Sequence, residues 1–304
     1  MLKTPVAFMI FKRPDTTKKV FEAIRDAKPS KLLVIADGPR KERPEETEKC
    51  AATRAIIDSI NWDCEVFKNY SDINLGCKER VATGFDWVFS IVEEAIILED
   101  DCLPHPTFFR FCEELLEKYR DDERIMTICG SNVKGEWKSN IQSYHYSYYG
   151  KGWGWASWRR AWKHFDLNMS LWSQPEIKKR IRDILNNQEE YQSRVQKFDR
   201  VYLQEINDVW DAQWLFARLS QSGLAIVPSV NLVENIGFGE EATHTKGTYA
   251  KKPQMPFYPM SFPLIEPYGL GVDRDFDRYV YLKTFKGANL PQKIIKKVQR
   301  LVNN

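Results

Sequence analysis

The sequence has no long apolar run, no paired cysteine motif and no strong excess of either charge. None of its apolar stretches approaches the roughly 20 residues that a membrane-spanning helix needs. No Cys-x-x-Cys pair occurs among its six cysteines, which argues against a structural zinc site. The net charge of +3 is too small to indicate nucleic-acid binding by itself, so we expect no nucleic-acid partner. These absences leave an ordinary globular chain as the expectation.

The cysteines also indicate a compartment. A chain of 304 residues can bury a sizeable core and does not need a disulfide framework for stability. No secretory signal pattern follows Met1. We therefore expect buried free thiols and a cytoplasmic location.

The first half of the chain alternates short apolar runs with amphipathic segments. The apolar runs predict strands at residues 5–11, 31–36, 64–69 and 95–98, and the segments between them predict helices at 15–26, 40–60 and 79–92. Such alternation is typical of an α/β fold, in which a mostly parallel central sheet is flanked by helices. The predicted fold class is therefore α/β.

The second half is less regular. Further helices and strands are predicted at residues 106–119, 125–129, 212–221 and 225–227, residues 142–162 look irregular and aromatic, and residues 174–202 look like an inserted helical pair. No internal repeat is present. We expect one continuous domain over residues 1–304.

Three polar clusters follow predicted strands of the sheet. They are Lys12-Arg13, Asp37-Gly38 and Glu99-Asp100-Asp101. In parallel sheets, ligands bind at the carboxyl ends of the strands, so these clusters should converge on one site. Three consecutive carboxylates repel one another unless a cation compensates, and their oxygens suit Mn²⁺ or Mg²⁺. The alternative interpretation is an acidic first turn of the helix that follows.

The motifs from residue 5 to about residue 245 resemble a known family. The sequence Ile97-Leu98-Glu99-Asp100-Asp101 followed by Pro106-Thr107-Phe108-Phe109 is similar to the Glu-Asp-Asp region of GT-A glycosyltransferases. It is most similar to the group that includes the Golgi N-acetylglucosaminyltransferase acting on protein-linked glycans, together with its bacterial relatives. The order and spacing of further motifs support this, namely Ile10–Pro14, Asp37-Gly38, Asn74–Cys77, Gly84–Trp87, Trp153–Trp155, Trp210-Asp211 and Gly237–Gly239.

The resemblance implies a role for each matching residue on the donor side. Arg13 would contact the donor diphosphate or ribose, and Asp37 would hydrogen-bond the base unless Asp37-Gly38-Pro39 is a simple turn. Asp101 would be the direct metal ligand. Side chains that would face the nucleotide or the donor sugar are Lys78, Arg80, Glu99 and Asp100.

An inverting transferase also needs a base for the acceptor hydroxyl. Asp211 matches the position of the catalytic aspartate in the resembled enzymes, although it could instead be a helix N-cap. Nearby alternatives are Asp208 and Glu205. The stretch between Asp101 and Asp211 is longer than in the Golgi enzyme, and residues 174–202 account for the excess and could reshape the acceptor site.

Aromatic and loop residues complete the predicted site. Flat aromatic faces pack well against sugars but also build ordinary cores. The candidates for sugar binding are Trp153, Trp155 and Trp210. Residues 237–245 could close over the donor and exclude water, and His244 in that loop could bind the metal or the diphosphate.

The expected function is metal-dependent transfer of a sugar from a nucleotide-diphosphate sugar, such as a UDP-sugar, to a glycan or lipid-linked acceptor. In this reading residues 1–130 bind the nucleotide, residues 131–250 bind the acceptor and carry the catalytic base, and residues 251–304 form a C-terminal extension. A basic amphipathic helix at residues 290–302 could rest on the inner face of the membrane or dock on the core. Alternatives are a retaining transferase, a sugar-1-phosphate nucleotidylyltransferase and a non-catalytic carbohydrate-binding protein.

Overall fold

The computed structural model describes residues 1–150, 152–238 and 255–286. The strands in this part of the chain, numbered in chain order, are β1 (Val6–Ile10), β2 (Lys31–Ala36), β3 (Glu65–Tyr70), β4 (Glu94–Glu99), β5 (Cys102–Pro104), β6 (Ile125–Cys129), β7 (Tyr144–Ser147), β8 (Trp155–Trp158), β9 (Leu224–Pro228) and β10 (Val233–Asn235). The α-helices are α1 (Pro14–Ala27), α2 (Glu45–Ala55), α3 (Gly76–Ile91), α4 (Thr107–Lys118), α5 (Arg159–Trp162), α6 (Pro175–Leu185), α7 (Gln188–Tyr202), α8 (Asp211–Ser220) and α9 (Arg274–Tyr281). Shorter helical turns cover Ile56–Ser59, Ser170–Ser173 and Leu282–Lys286.

A central sheet of 8 strands organises the fold, in the order β3-β2-β1-β4-β8-β6-β9-β7. Strands β1 to β4 run parallel to one another, and β6 runs parallel to β9. Strand β8 lies antiparallel between β4 and β6, and β7 lies antiparallel at the edge. The predicted α/β class with a mostly parallel central sheet flanked by helices is therefore confirmed.

Side chains on neighbouring residues of each strand enter different cores, because they point to opposite faces of the sheet. In β1, Val6, Phe8 and Ile10 join the apolar core that holds α1 and α4. Ala7, between them, joins the core that holds α3, α5 and α8. This burial on both faces explains why β1 is an almost continuous apolar run.

A third core lies outside the two faces of the parallel half. It gathers buried side chains from α6, α7, α8 and α9 and from β9. The predicted helical pair in residues 174–202 is confirmed as α6 and α7. These two helices pack against each other and against α8.

The prediction that residues 142–162 are irregular is wrong, because this stretch contains β7, β8 and α5. Both strands are only four residues long and are buried on both faces, so neither shows an alternating pattern. The short strands β5 and β10 were also not predicted, and they pair with each other in a separate ribbon. Strands this short, or buried on both faces, show no alternating pattern in the sequence.

The sequence also predicted free cysteine thiols, no membrane-spanning helix and a basic helix near the C-terminus. All six cysteines are free thiols, four of them buried, and Cys64 and Cys77 half-buried. Within the described ranges, no helix combines the length and the apolar character needed to cross a bilayer. His244 and the predicted basic helix at residues 290–302 lie outside the described residues.

Candidate active site

A cavity of about 810 Å³ opens at the carboxyl ends of β1, β2 and β4. It is lined by the turns that follow these strands and by residues of α3, α7, α8 and α9. Both halves of the chain therefore contribute to the same space. Its polar lining includes Arg13, Asp37, Arg40, Asn74, Arg80, Glu99, Asp100, Asp101, Ser131, Arg194, Lys197, Asp208, Asp211 and Asn235.

Glu99 is the last residue of β4, and Asp100 and Asp101 form the turn before β5, so the acidic cluster is not the first turn of a helix. Arg13, which directly precedes α1, donates a hydrogen bond to the Asp100 carboxylate. Its second terminal nitrogen lies 3.0 Å from Asp101 Oδ2. The Phe11 N–H donates to Asp100 Oδ2 at 3.2 Å. The ends of β1 and β4 are thus joined through one guanidinium and two carboxylates.

The charges of this cluster are only partly balanced. Burial, reinforced by the Asp101 and Asp100 carboxylates, raises the pKa of Glu99 to about 8. Burial also raises the pKa of Asp100 to about 6, although Arg13 opposes the change. Burial acts to lower the pKa of Arg13, but the two aspartates outweigh it and raise that pKa. One guanidinium therefore leaves unfavourable negative charge, which a further cation would relieve.

The ribbon of β5 and β10 brings residues 235–237 next to Asp101 and Cys102. Asn235 pairs with Cys102, and the Ile236 N–H donates to the Asp101 carbonyl at 2.8 Å. At Gly237 the backbone is so close that a Cβ atom would lie 2.7 Å from Arg13 Nη1 and would overlap the Asp101 carboxylate. Only glycine fits between these two side chains without displacing one of them.

A divalent metal, which the family resemblance implies, can be tested against these residues. Among the residues that the structure describes, no group of three or more His, Cys, Asp or Glu side chains is placed to hold a metal ion. Mg²⁺ sites commonly use one or two carboxylates and complete their shell with substrate phosphates and water. Asp101, which lines the cavity with a side chain 15% exposed, suits a site of that kind. His244 cannot be placed, because it lies outside the described residues.

Asp37 is buried, and its carboxylate holds the loop before α3 in place through hydrogen bonds. Its carboxylate accepts hydrogen bonds from Asn74 Nδ2 at 2.8 Å and from the N–H groups of Leu75 at 2.9 Å and Gly76 at 3.2 Å. The Gly38 N–H is a fourth donor, at 3.0 Å. Because a carboxylate has about four acceptor sites, little capacity remains for a base. The structure thus favours a positioning role for Asp37 over the predicted contact with the base.

The two predicted cations of α3 are placed differently. Arg80 is 5% exposed, lines the cavity and donates to Asn69 Oδ1 at 2.8 Å. Lys78 does not line the cavity as the described residues outline it. Its backbone N–H donates to Asp208 Oδ1 at 3.2 Å, which ties the chain before α8 to the first turn of α3. The side chain of Lys78 is therefore not part of the cavity lining.

Asp211 lies in the part of the cavity lining that α8 contributes. It is the first residue of α8, and Trp210 occupies the N-cap position, so Asp211 is not the N-cap. Its side chain is 65% exposed, and its Oδ2 lies 3.9 Å from Lys197 Nζ on α7. The negative charge of Asp211 also acts to raise the pKa of Glu99, after burial and the two neighbouring aspartates.

Helix α7 adds two cavity-lining cations that the sequence analysis missed, Arg194 and Lys197. Arg194 is 4% exposed and stacks over the Tyr149 ring at 4.5 Å. A polar helix with scattered charges resembles any solvated surface helix, so no sequence signal set these two residues apart. Only the packing of α7 beside α8 shows that they face the site.

The three predicted sugar-binding tryptophans separate into two environments. Trp153 is half-buried at the cavity, where its ring meets Phe238 at 5.9 Å. Trp210 lines the cavity but is mostly buried, stacked at 5.8 Å on Trp155. Trp155 is 1% exposed within β8 and belongs to the core. A sugar cannot reach the Trp155 ring, so the structure contradicts that prediction.

Comparison with known proteins gives no family assignment. No protein-family model and no curated protein matches the chain. Solved structures with some similarity include a UDP-glucose pyrophosphorylase complexed with UDP-glucose, with 12% identity and a TM-score of 0.27 over 48% of this chain and 62% of that one. An inositol-1-phosphate CTP transferase from T. maritima has 8% identity and a TM-score of 0.36, over 75% and 86% of the two chains. An apo UDP-glucose pyrophosphorylase has 10% identity and a TM-score of 0.36, over 76% and 93%. Similarities this low do not assign a function.

Proposed function

We propose that this protein is a glycosyltransferase that moves a sugar from a nucleoside diphosphate sugar, such as a UDP-sugar, to a glycan or lipid-linked acceptor with inversion. The observation that carries the proposal is one cavity lined by two different acidic groups. One is the Glu99-Asp100-Asp101 cluster with Arg13, and the other is the exposed carboxylate of Asp211. A donor anchored at the cluster would present its sugar to an acceptor activated by Asp211.

On the donor side, the chain supplies charges suited to a diphosphate. Arg13 offers a forked cation at the end of β1, and such a fork matches phosphate oxygens. Glu99 and Asp100 lie beside it as hydrogen-bonding partners for hydroxyl groups of the ribose or the donor sugar. A Mn²⁺ or Mg²⁺ ion held by Asp101, when bound, would offset negative charge on the departing diphosphate.

On the acceptor side, Asp211 acts as the general base. The acceptor hydroxyl oxygen forms a bond to the anomeric carbon while the bond from that carbon to the diphosphate oxygen breaks, and the hydroxyl proton passes to Asp211. Lys197, 3.9 Å away, helps to orient the carboxylate. Trp153 offers a half-buried ring at the cavity for a sugar face.

A sugar-1-phosphate nucleotidylyltransferase is the second candidate, since the similar structures carry names of that kind. Such an enzyme needs a Gly-rich, basic loop after the first strand to bind phosphates. Here only Phe11, Lys12 and Arg13 separate β1 from α1, and none of them is glycine. The carboxylate of Asp211 also has an evident use only if an acceptor hydroxyl must be deprotonated.

The proposal is tested by a thermal-shift screen of nucleotide sugars with and without Mn²⁺, since a bound donor stabilises the folded state by mass action. Asp101→Asn should abolish the metal-dependent part of the shift. Asp211→Asn should keep the donor shift but lose transfer to any acceptor that the wild type uses. Glu205→Gln, which removes a nearby acid that does not line the cavity, is the matched control and should keep both. Full transfer by Asp211→Asn would refute the assignment of the base, and no shift with any nucleotide sugar would refute the function.

A further inference from the structure

The carboxylate proposed to hold the metal already has a cationic partner. Arg13 Nη1 lies 3.0 Å from Asp101 Oδ2, and the other terminal nitrogen of the same guanidinium hydrogen-bonds Asp100. The side chains of Arg13 and Asp101 are only 18% and 15% exposed. Arg13 therefore occupies the charge-compensating position in which the metal is needed.

Little room exists for a second cation at Asp101 Oδ2, the carboxylate oxygen that Arg13 contacts. The backbone at Gly237 lies so close to this oxygen and to Arg13 Nη1 that a single added Cβ would overlap them. The Ile236 N–H holds this segment to the Asp101 carbonyl. A metal ion that binds Asp101 Oδ2 would therefore compete with Arg13 for that oxygen.

Electrostatics favours replacement of Arg13 by the metal ion at the Asp101 carboxylate over binding of both cations there. A divalent cation and a guanidinium on one carboxylate repel each other, and repulsion between charges a few ångströms apart is strong in a partly buried site. A nucleoside diphosphate brings negative oxygens that can take over the displaced guanidinium. Each ligand would thus remove an obstacle to the other.

We propose that Arg13 is a displaceable counter-ion that couples metal binding to nucleotide binding. In the ligand-free protein it balances Asp100 and Asp101, and Mn²⁺ or Mg²⁺ binds well only together with a nucleoside diphosphate that accepts Arg13. This inference rests on the proposed function, because it takes a nucleoside diphosphate as the natural ligand. Coupling of this kind is reciprocal, so UDP must raise the affinity for Mn²⁺ by the same factor as Mn²⁺ raises the affinity for UDP.

The test is calorimetric titration of the full chain with MnCl₂ alone, with UDP alone, and with each in the presence of the other. For the wild type we expect weak binding of Mn²⁺ alone and an increase of about tenfold or more when UDP is present. For Arg13→Gln we expect opposite changes, namely tighter binding of Mn²⁺ alone and weaker binding of UDP alone. The coupling factor should shrink toward one.

Two further variants separate this role from general effects of charge or folding. Lys12→Gln removes a neighbouring cation that pairs with Glu46 at 2.6 Å, not with Asp101, and should leave the affinity for Mn²⁺ alone unchanged. Arg13→Lys keeps the charge but loses the fork, and should bind Mn²⁺ alone with an affinity between those of the wild type and Arg13→Gln. It also serves as the test variant if Arg13→Gln does not fold.

The outcomes distinguish the inference from the function on which it rests. Equal affinity of the wild type for Mn²⁺ with and without UDP would overturn the coupling while leaving the proposed function intact. Unchanged binding of Mn²⁺ alone by both Arg13 variants would do the same. No binding of UDP or of any other nucleoside diphosphate would overturn both.

Discussion

At the scale of single residues, the side chain of Asp101 is enclosed by two residues, Arg13 and Gly237. Arg13, which directly precedes α1, pairs with it, and Gly237 lies over it in the segment after β10. Neither neighbour is close to Asp101 in sequence. The site thus depends on one cation and on one residue that has no side chain.

Substitution of Gly237 by alanine should damage the site without unfolding the protein. The new Cβ would lie 2.7 Å from Arg13 Nη1, so Arg13 or Asp101 must move. A shift of about 1 Å at a catalytic site can cost about 100-fold in rate, and we expect a loss of that order in kcat/KM for the donor. Gly271→Ala is the control, because nothing lies within 4 Å of its added Cβ. Equal activity of the two variants would contradict the packing described for Gly237.

Two tryptophans close together in sequence should behave in opposite ways. Trp155→Phe should lower the free energy of unfolding by about 1–3 kcal/mol, because the Trp155 ring is 1% exposed and packs against Trp210 and Trp214. Trp153→Ala should cost less stability but raise KM for the acceptor. Chemical denaturation and steady-state kinetics measure the two effects. A larger loss of stability for Trp153→Ala than for Trp155→Phe would show that the two environments were misassigned.

At the scale of secondary-structure elements, the parallel half was predictable and the antiparallel insertions were not. Strands β1, β2 and β4 are buried on both faces, so each reads as an apolar run bounded by polar turns. Strands β7 and β8 owe their position to pairing with β9, β4 and β6, which are distant in the chain. Short strands fixed by such long-range pairing carry no local signal.

Helix α7 carries a buried acid whose titration should appear in the stability of the protein. Burial raises the pKa of Glu190 to about 7, although the charge of Arg194 opposes the change. Because the unfolded value is about 4.3, the folded state holds this proton more tightly, and the resulting stability is lost as the pH rises through about 7. Other charged groups that act on Glu190 are Asp277, Arg274 and Arg278.

Glu190→Gln removes this dependence. The free energy of unfolding of the variant minus that of the wild type should increase by about 1–2 kcal/mol from pH 5 to pH 8. Urea unfolding at several pH values measures the difference, and Asp277, whose pKa burial raises to about 6, is present in both proteins. Glu189→Gln changes an exposed neighbour and should give no such trend. A constant difference between Glu190→Gln and the wild type would contradict the burial assigned to Glu190.

At the scale of the whole molecule, the sequence indicated which strand ends converge on the cavity, but not which helices complete its lining. The clusters at Arg13, Asp37 and Glu99–Asp101 meet at the cavity because the carboxyl ends of parallel strands share one edge. The roles of Asp37 and Trp155 could not be read in advance, since hydrogen-bond saturation and burial are properties of the folded chain. Arg194 and Lys197 reach the site only through the packing of α7 against α8.

The meeting of Asp211 and the acidic cluster in one cavity depends on both halves of the chain. Strands from residues 1–130 and from residues 131–250 interleave in one sheet, and we propose on this basis that the chain forms a single domain. Each half supplies one of the two acidic groups that line the cavity.

The central claim is that this cavity breaks the bond between the sugar and the diphosphate of a nucleotide sugar. The most direct measurement is the identity of the nucleotide product when the protein, Mn²⁺, a UDP-sugar and a panel of acceptor glycans are incubated with and without pyrophosphate. We predict UDP as the product, independent of pyrophosphate, with formation lost in Asp211→Asn. Formation of UTP and a sugar 1-phosphate that requires pyrophosphate would contradict the account and identify a nucleotidylyltransferase instead.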